Sequence, residues 1–157
     1  MQEHLETQFH EEDGFQGKEV AVIAGGHFIH DVYSAFLAPL LPPIIDKLSL
    51  TLTLAGSLTA IMQLPAVLNP IIGHFADKLS MRFFIILAPA VTATLMSSIG
   101  LASNYYALAF LLFMTGISTA AYHAPAPAMI ARISGQRVGK GMSWFMAGGE
   151  LGRTLGP

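Results

Sequence analysis

Residues 83–102 read FFIILAPAVTATLMSSIGLA, a run without a single Asp, Glu, Lys or Arg. A helix rising 1.5 Å per residue needs roughly 20 mostly apolar residues to cross a hydrocarbon core about 30 Å thick. The run has that length and composition, so it reads as a membrane helix. Working outward from it, Leu48 to Ala76 and Tyr105 to Ala131 are equally free of formal charge, and Val20 to Leu41 carries only Asp31. The spans fall at about residues 20–41, 52–75, 83–102 and 105–131, with a fifth from about 141 to 157. This fifth run ends before it could reach the other side, so the chain is expected to be a fragment that stops inside a membrane helix.

Composition agrees. Over 157 residues, 53% are apolar and only 11% are charged, far from the balance of a soluble domain. The fold class expected is all-α, a polytopic integral membrane helical bundle. The 8 Lys and Arg are scattered, which excludes a nucleic-acid footprint. With no cysteine, the chain has no disulfide, thiolate metal site or cysteine nucleophile. Residues 1–17 carry Glu3, Glu6, Glu11, Glu12 and Asp13 without a Lys or Arg, the reverse of a secretory signal. They read as an acidic disordered tail, and residues 18–157 as the transmembrane domain.

Basic residues in the connectors set the orientation. Lys78 and Arg82 lie in the second loop, and Arg132, Arg137 and Lys140 at the fourth, against Lys47 in the first and none in the third. The even loops, and with them the N-terminus, are therefore expected on the cytoplasmic side of a cell membrane, the bacterial inner membrane in the first instance. Pro39, Pro42, Pro65, Pro70, Pro89, Pro125 and Pro127 fall within the spans and predict kinked helices lining something.

An ionised group at the bilayer centre costs about 2.5 to 3.5 kcal/mol on insertion scales, so Asp31 needs a partner or a cavity. At 100° per residue, His27, His30, Asp31 and Ser34 fall within about a 100° arc of the first helix. Three readings fit: a protonatable cluster serving transport, a hydrogen-bond network that only holds helices together, or a metal site on His27, His30 and Asp31, for which sequence offers no fourth ligand. On the fourth helix Thr115, Ser118, Thr119, Tyr122 and His123 share an arc of about 140°. The third helix, with only Thr92, Thr94, Ser97 and Ser98, is expected to be a peripheral support. On the fifth, Gly148, Gly152 and Gly156 repeat every four residues and offer a close-packing ridge. Glu150 and Arg153 are spaced to pair on that helix, either as a structural ion pair or as an anion-binding Arg released when Glu is protonated.

The second loop, Gly73-His74-Phe75-Ala76-Asp77-Lys78-Leu79-Ser80-Met81-Arg82, resembles the signature between the second and third helices of major facilitator superfamily transporters, matching at Gly73, Asp77, Lys78 and Arg82. Gly148-Gly149-Glu150-Leu151-Gly152-Arg153-Thr154-Leu155-Gly156-Pro157 is similar to the glycine-rich fifth-helix signature of the same superfamily. Within it, Gly26-His27 with His30-Asp31, and Tyr122-His123-Ala124-Pro125, resemble the fosmidomycin-resistance-like branch. The resemblance implies that the chain is part of the N-terminal half of a twelve-helix fold whose C-terminal half is missing. It also implies that Gly73, Asp77, Lys78 and Arg82 stabilise one state of alternating access.

The function expected is therefore secondary transport of a small polar or anionic solute, drug or metabolite efflux included, coupled to protons and needing neither cofactor nor covalent chemistry. Its partners are the lipid bilayer, the solute, protons and the missing half. Two other classes stay open: a membrane adaptor docking a partner through the Gly148 to Gly156 ridge, and an intramembrane metal-dependent enzyme using His27, His30, Asp31 and His123.

Overall fold

In the computed structural model, which describes residues 14–78 and 80–156, every regular element is helical. The acidic residues Glu3, Glu6, Glu11, Glu12 and Asp13, the side chain of Asp77, and Pro157 lie outside what is described. The first span consists of α1 (Gly17–Ser34) and α2 (Leu37–Leu48); the second of α3 (Leu52–Gln63), a 3-10 segment (Leu64–Leu68) and α4 (Asn69–Lys78). Next come α5 (Met81–Ser98) with a 3-10 end (Ile99–Leu101), then α6 (Tyr105–His123) and α7 (Ala126–Ile133) in the fourth span, and α8 (Val138–Leu155) in the fifth.

Among the described residues four helical stretches are long and apolar enough to cross a membrane: Gly17–Leu48, Leu52–Ala76, Met81–Leu101 and Tyr105–Ile133. Large apolar side chains such as Val22, Leu52, Val67, Phe83, Ile86 and Phe110 point outward. Such a surface suits acyl chains and would be costly against water.

Proline accounts for the breaks. A proline ring clashes with the carbonyl four residues earlier and removes one helical hydrogen bond. Pro39 sits four residues after Ala35, where the first span is interrupted; Pro127 sits four after His123, where α6 ends. Pro65 opens the 3-10 segment of the second span, and Pro70 the helix beyond it.

The connectors are shorter than the charges suggest. Asp46 and Lys47 belong to the last turn of α2, which ends at Ser49 in a left-handed conformation (φ 50°). Lys47 donates from Nζ to the Gly100 carbonyl at 2.8 Å, tying the first turn to the end of the third span. Thr51 and Asn104 cap α3 and α6, accepting from Leu54 N at 3.3 Å and Ala107 N at 3.0 Å. Gly73 lies inside α4, and only residues 79–80 separate α4 from α5, so the loop expected from Ala76 to Arg82 is mostly helix, with Lys78 and Arg82 exposed at its ends. Residues 14–17, read from sequence as part of a tail, are packed: Gln16 N donates to the Ile133 carbonyl at 2.9 Å, and Phe15 meets Trp144 edge-on.

The most extensive helix contact joins α1 to α8, elements far apart in sequence. Their backbones touch because glycine leaves no side chain between them: a Cβ on Gly148 would strike the Ala24 carbonyl, one on Gly152 the Phe28 carbonyl, and one on Gly156 the Cα of Val32. The ridge predicted on the fifth helix thus interlocks with every fourth residue of the first. Likewise Gly116 of α6 admits the Met62 carbonyl and Pro65.

Two apolar clusters fill the interior. One gathers Val20, Ile85, Tyr122, Ile130 and Phe145; the other gathers Leu37, Leu58, Met96, Leu108 and Leu112. Along α1, α5 and α6 the stretch between them carries His27, His30, Asp31, Thr92, Thr115 and Ser118, all buried. A polar layer therefore lies between two greasy ones.

Candidate functional site

Asp31 is the centre of that layer. With 1% of its surface exposed, its carboxylate is met by groups from three helices. Oδ1 lies 3.1 Å from His30 Nδ1 and 3.3 Å from His123 Nε2. Oδ2 lies 3.3 Å from His27 Nε2 and 3.0 Å from Arg153 Nε. Spacing of three and four residues puts His27, His30 and Asp31 on one side of α1; α6 brings His123 and α8 brings Arg153. A buried charge needs such a set of partners to persist.

Each imidazole is held from its far side. His27 lies flat on Phe145, ring centroids 4.0 Å apart, and its Nδ1 donates to the Phe145 carbonyl at 2.8 Å. Gly149 makes room for it, since a Cβ there would run into the ring. His30 stacks on Tyr122 at 4.7 Å, while the Tyr122 hydroxyl donates to the Ile23 carbonyl at 3.0 Å. Behind His30, its Nε2 is 3.2 Å from Thr92 Oγ1; Thr92 donates to Ser118 Oγ at 2.9 Å, and Ser118 donates to the Ala88 carbonyl at 3.0 Å. His123 stands edge-on to both other imidazoles and is partly exposed.

Arg153 spans two carboxylates. While Nε faces Asp31, Nη1 donates to Glu150 Oε1 at 3.1 Å. Its side chain is 53% exposed and that of Glu150 61%. The pairing of Glu150 with Arg153 was legible from their spacing; the reach of Arg153 to Asp31 was not.

Beside the cluster opens a cavity of about 660 Å³, bordered by Ser34, Gln63, Asn69, Thr119, His123 and Arg153 among others. Ser34 spends its hydroxyl on the Asp31 carbonyl at 3.3 Å. Thr119 Oγ1 and Asn69 Oδ1 are buried without a hydrogen-bond partner among the described residues, so the cavity wall holds unspent polar atoms. Of the groups that meet Asp31, His123 and Arg153 border the cavity, whereas His27 and His30 do not.

The structure therefore assembles His27, His30, Asp31, His123 and Arg153 at one point, with Ser34, Thr119 and Glu150 nearby. Tyr122, which its spacing puts on the same arc as Thr119 and His123, is fully buried and serves as the plate under His30. Lys78 closes α4 and Arg82 lies in the first turn of α5, and Gly148, Gly152 and Gly156 belong to the α1–α8 seam. The third helix, expected to be a peripheral support, also brings Thr92 into the site, where it is buried and bonded to His30. Residue type alone hides this: an isolated threonine in an apolar helix is most often bonded to its own backbone. Phe145 and Gly149 were also missed, the first acting through its ring and carbonyl and the second through having no side chain.

His27, Asp31 and His123 have nitrogen and oxygen atoms within 4.8 Å of one another, a spacing that a metal ion can bridge. The trio differs from the one sequence suggested, with His123 in place of His30. The permanently charged guanidinium 3.0 Å from the same carboxylate opposes a second cation there, and we do not read these residues as metal ligands.

Among the described residues, an all-helical bundle with four stretches long and apolar enough to span a bilayer and a buried ionisable cluster beside a cavity defines a polytopic membrane protein. The family profile of the Major Facilitator Superfamily matches residues 23–157, and the chain belongs to that superfamily. It is similar to the fosmidomycin resistance protein of Escherichia coli (strain K12), with 27% identity over 140 residues, covering 88% of this chain and 34% of the relative. The chain thus spans about a third of that relative's length. No solved structure matches it.

Proposed function

We propose that this chain forms part of a proton-coupled secondary transporter of a small polar or anionic solute in the cell membrane. The observation that carries the reading is the Asp31 cluster: a buried carboxylate held by His27, His30, His123 and Arg153, with the last two bordering a cavity. Ionisable groups are expensive in a bilayer and, where they face a cavity, serve ion or solute pathways. Arg153 and Thr119 supply donors for a solute; Asp31 and its imidazoles supply proton sites. The relative's name, a resistance protein, favours export of a drug-like solute.

In carriers of this kind the solute lies between two halves that rock about a midplane site. A second half-bundle would close the cavity opposite Arg153, and basic residues at the even loops favour a cytoplasmic N-terminus. The adaptor reading is weakened because the Gly148 to Gly156 ridge is already covered by α1.

The test is solute movement in inverted vesicles or proteoliposomes carrying the protein as its gene encodes it, driven by an imposed pH gradient. Candidate solutes begin with fosmidomycin. Gradient-driven flux that disappears in Asp31→Asn supports the reading. Flux indifferent both to the gradient and to Asp31→Asn overturns proton coupling.

A further inference from the structure

We infer that the cavity beside Asp31 selects a solute with two different heads. One is an anion, held at Arg153 and His123; the other is a neutral group that both donates and accepts hydrogen bonds, held one helical turn away at Asn69 and Thr119. The inference rests on the transporter reading and adds to it the class of solute, the spacing of its groups, and Asn69 as a residue that determines specificity.

Charge fixes the first head. Among the described residues that border the cavity, Arg153 alone carries a permanent charge. Its guanidinium has five N–H donors; Nη1 gives one to Glu150, and about half of the side chain stays exposed. Asp31 and Glu150 do not border the cavity, so a solute there meets Arg153 and His123. A planar fork of donors suits a phosphonate or a carboxylate.

Two unspent polar atoms mark the second head. Hydroxyls in these helices commonly turn back on their own backbone: Thr94, Ser98, Thr115 and Thr154 each donate to the carbonyl four residues earlier. Thr119 lies one turn beyond Thr115 on α6 and makes no such bond; its Oγ1 is buried without a partner. Asn69 begins α4, where an Asn side chain ordinarily accepts from a nearby backbone N–H, yet its Oδ1 is likewise unpartnered. Buried polar atoms left in this way cost stability and call for a partner.

Packing brings the pair together. A Cβ on Gly116 would meet the Met62 carbonyl and Pro65, which fixes the register between the second and fourth spans. Both spans run from an odd connector to an even one, hence in the same direction. Four residues on from Pro65 and three on from Gly116, Asn69 and Thr119 therefore come level, and both border the cavity. Each residue is only partly buried, and rotation about one bond, χ1 of Thr119 or χ2 of Asn69, turns its polar atom to the cavity.

His123 follows Thr119 by four residues, about 6 Å along the helix, and this sets the distance between the heads. The Asn69 amide and the Thr119 hydroxyl together offer an acceptor and a donor, the complement of a hydroxyl or a secondary amide. Among the described residues no charged one borders the cavity at this end, so a second charge on the solute would be left unpaired. The class is thus a phosphonate or carboxylate joined through a short linker to a hydroxyl or amide. It excludes solutes with an anion at each end.

The test is equilibrium binding to the protein as its gene encodes it, purified in detergent and followed by the ³¹P signals of three probes. Propylphosphonate carries the anion alone, 3-hydroxypropylphosphonate adds the neutral head, and 3-phosphonopropionate puts a carboxylate in its place. The hydroxyl probe should bind about tenfold more tightly than propylphosphonate, the worth of one added hydrogen bond, and the carboxylate probe should bind most weakly. Thr119→Val and Asn69→Leu keep the shape and drop the polar atoms. In each, the ratio between the first two probes should fall to about one, while the thermal midpoint without ligand holds or rises.

A lower midpoint with the ratio unchanged gives the pair a structural role and overturns the inference. Equal binding of the three probes, a preference for the carboxylate probe, or no binding of the hydroxyl probe overturns it as well. A ratio of one beside gradient-driven flux removes this inference and leaves the transport reading standing. The expected ratio in a protein whose flux ignores the gradient removes proton coupling alone.

Discussion

At the scale of single residues, the site depends on groups that orient others. Tyr122 illustrates the division between packing and chemistry: its ring supports His30, and its hydroxyl bonds to the Ile23 carbonyl. Tyr122→Phe keeps the plate and removes one interhelical hydrogen bond, leaving the Ile23 carbonyl with its own helical partner, so unfolding should become easier by about 1 kcal/mol, read as a lower thermal midpoint in detergent, while flux persists. Arg153 differs, since it bridges Asp31 and Glu150 with separate nitrogens. Arg153→Lys preserves the charge yet offers a single point donor that cannot span both carboxylates. Thermal stability should hardly change, whereas solute flux at fixed gradient should drop severalfold; unaltered flux would show that only charge matters there.

At the scale of elements, the seam between α1 and α8 is the strongest claim of the fold. Gly152→Val would force a branched side chain against the Phe28 carbonyl and within 3.2 Å of Asp31 Cβ. Overpacking of this kind typically costs about 1–3 kcal/mol, so the variant should unfold at a distinctly lower temperature. Gly139→Ala, on the same helix with nothing near its added methyl, is the matched control and should be neutral or better. Equal losses in both would indicate that helix flexibility and not close contact is what glycine provides. The broken helices belong to this scale as well. Pro39 and Pro127 end α1 and α6 just past Asp31 and His123, so each interruption lies next to the polar layer.

At the scale of the whole molecule, the prediction concerns topology. This chain has no cysteine, so a single introduced thiol reports on one position. A cysteine replacing Lys78 or Arg82 should react with an impermeant reagent only from the cytoplasmic side, and one replacing Ser103 only from the opposite side. The reversed pattern would invert the bundle and, with it, the side from which His123 and Arg153 are reached.

Fold class was legible because a bilayer imposes a simple rule, in which uncharged runs of fixed length become helices. The candidate site was legible in part, because intramembrane Asp and His are costly enough to announce themselves one residue at a time, and because spacing along one helix decides which of them share a face. What no single helix contains had to come from tertiary structure. Arg153 reaches Asp31 across a seam set by Gly148, Gly149, Gly152 and Gly156; Thr92 joins the site from a helix that looks unremarkable; the Phe145 carbonyl commits the His27 proton. Composition and periodicity describe one helix at a time, whereas the direction of a hydrogen bond between helices depends on which backbone carbonyl the packing happens to present.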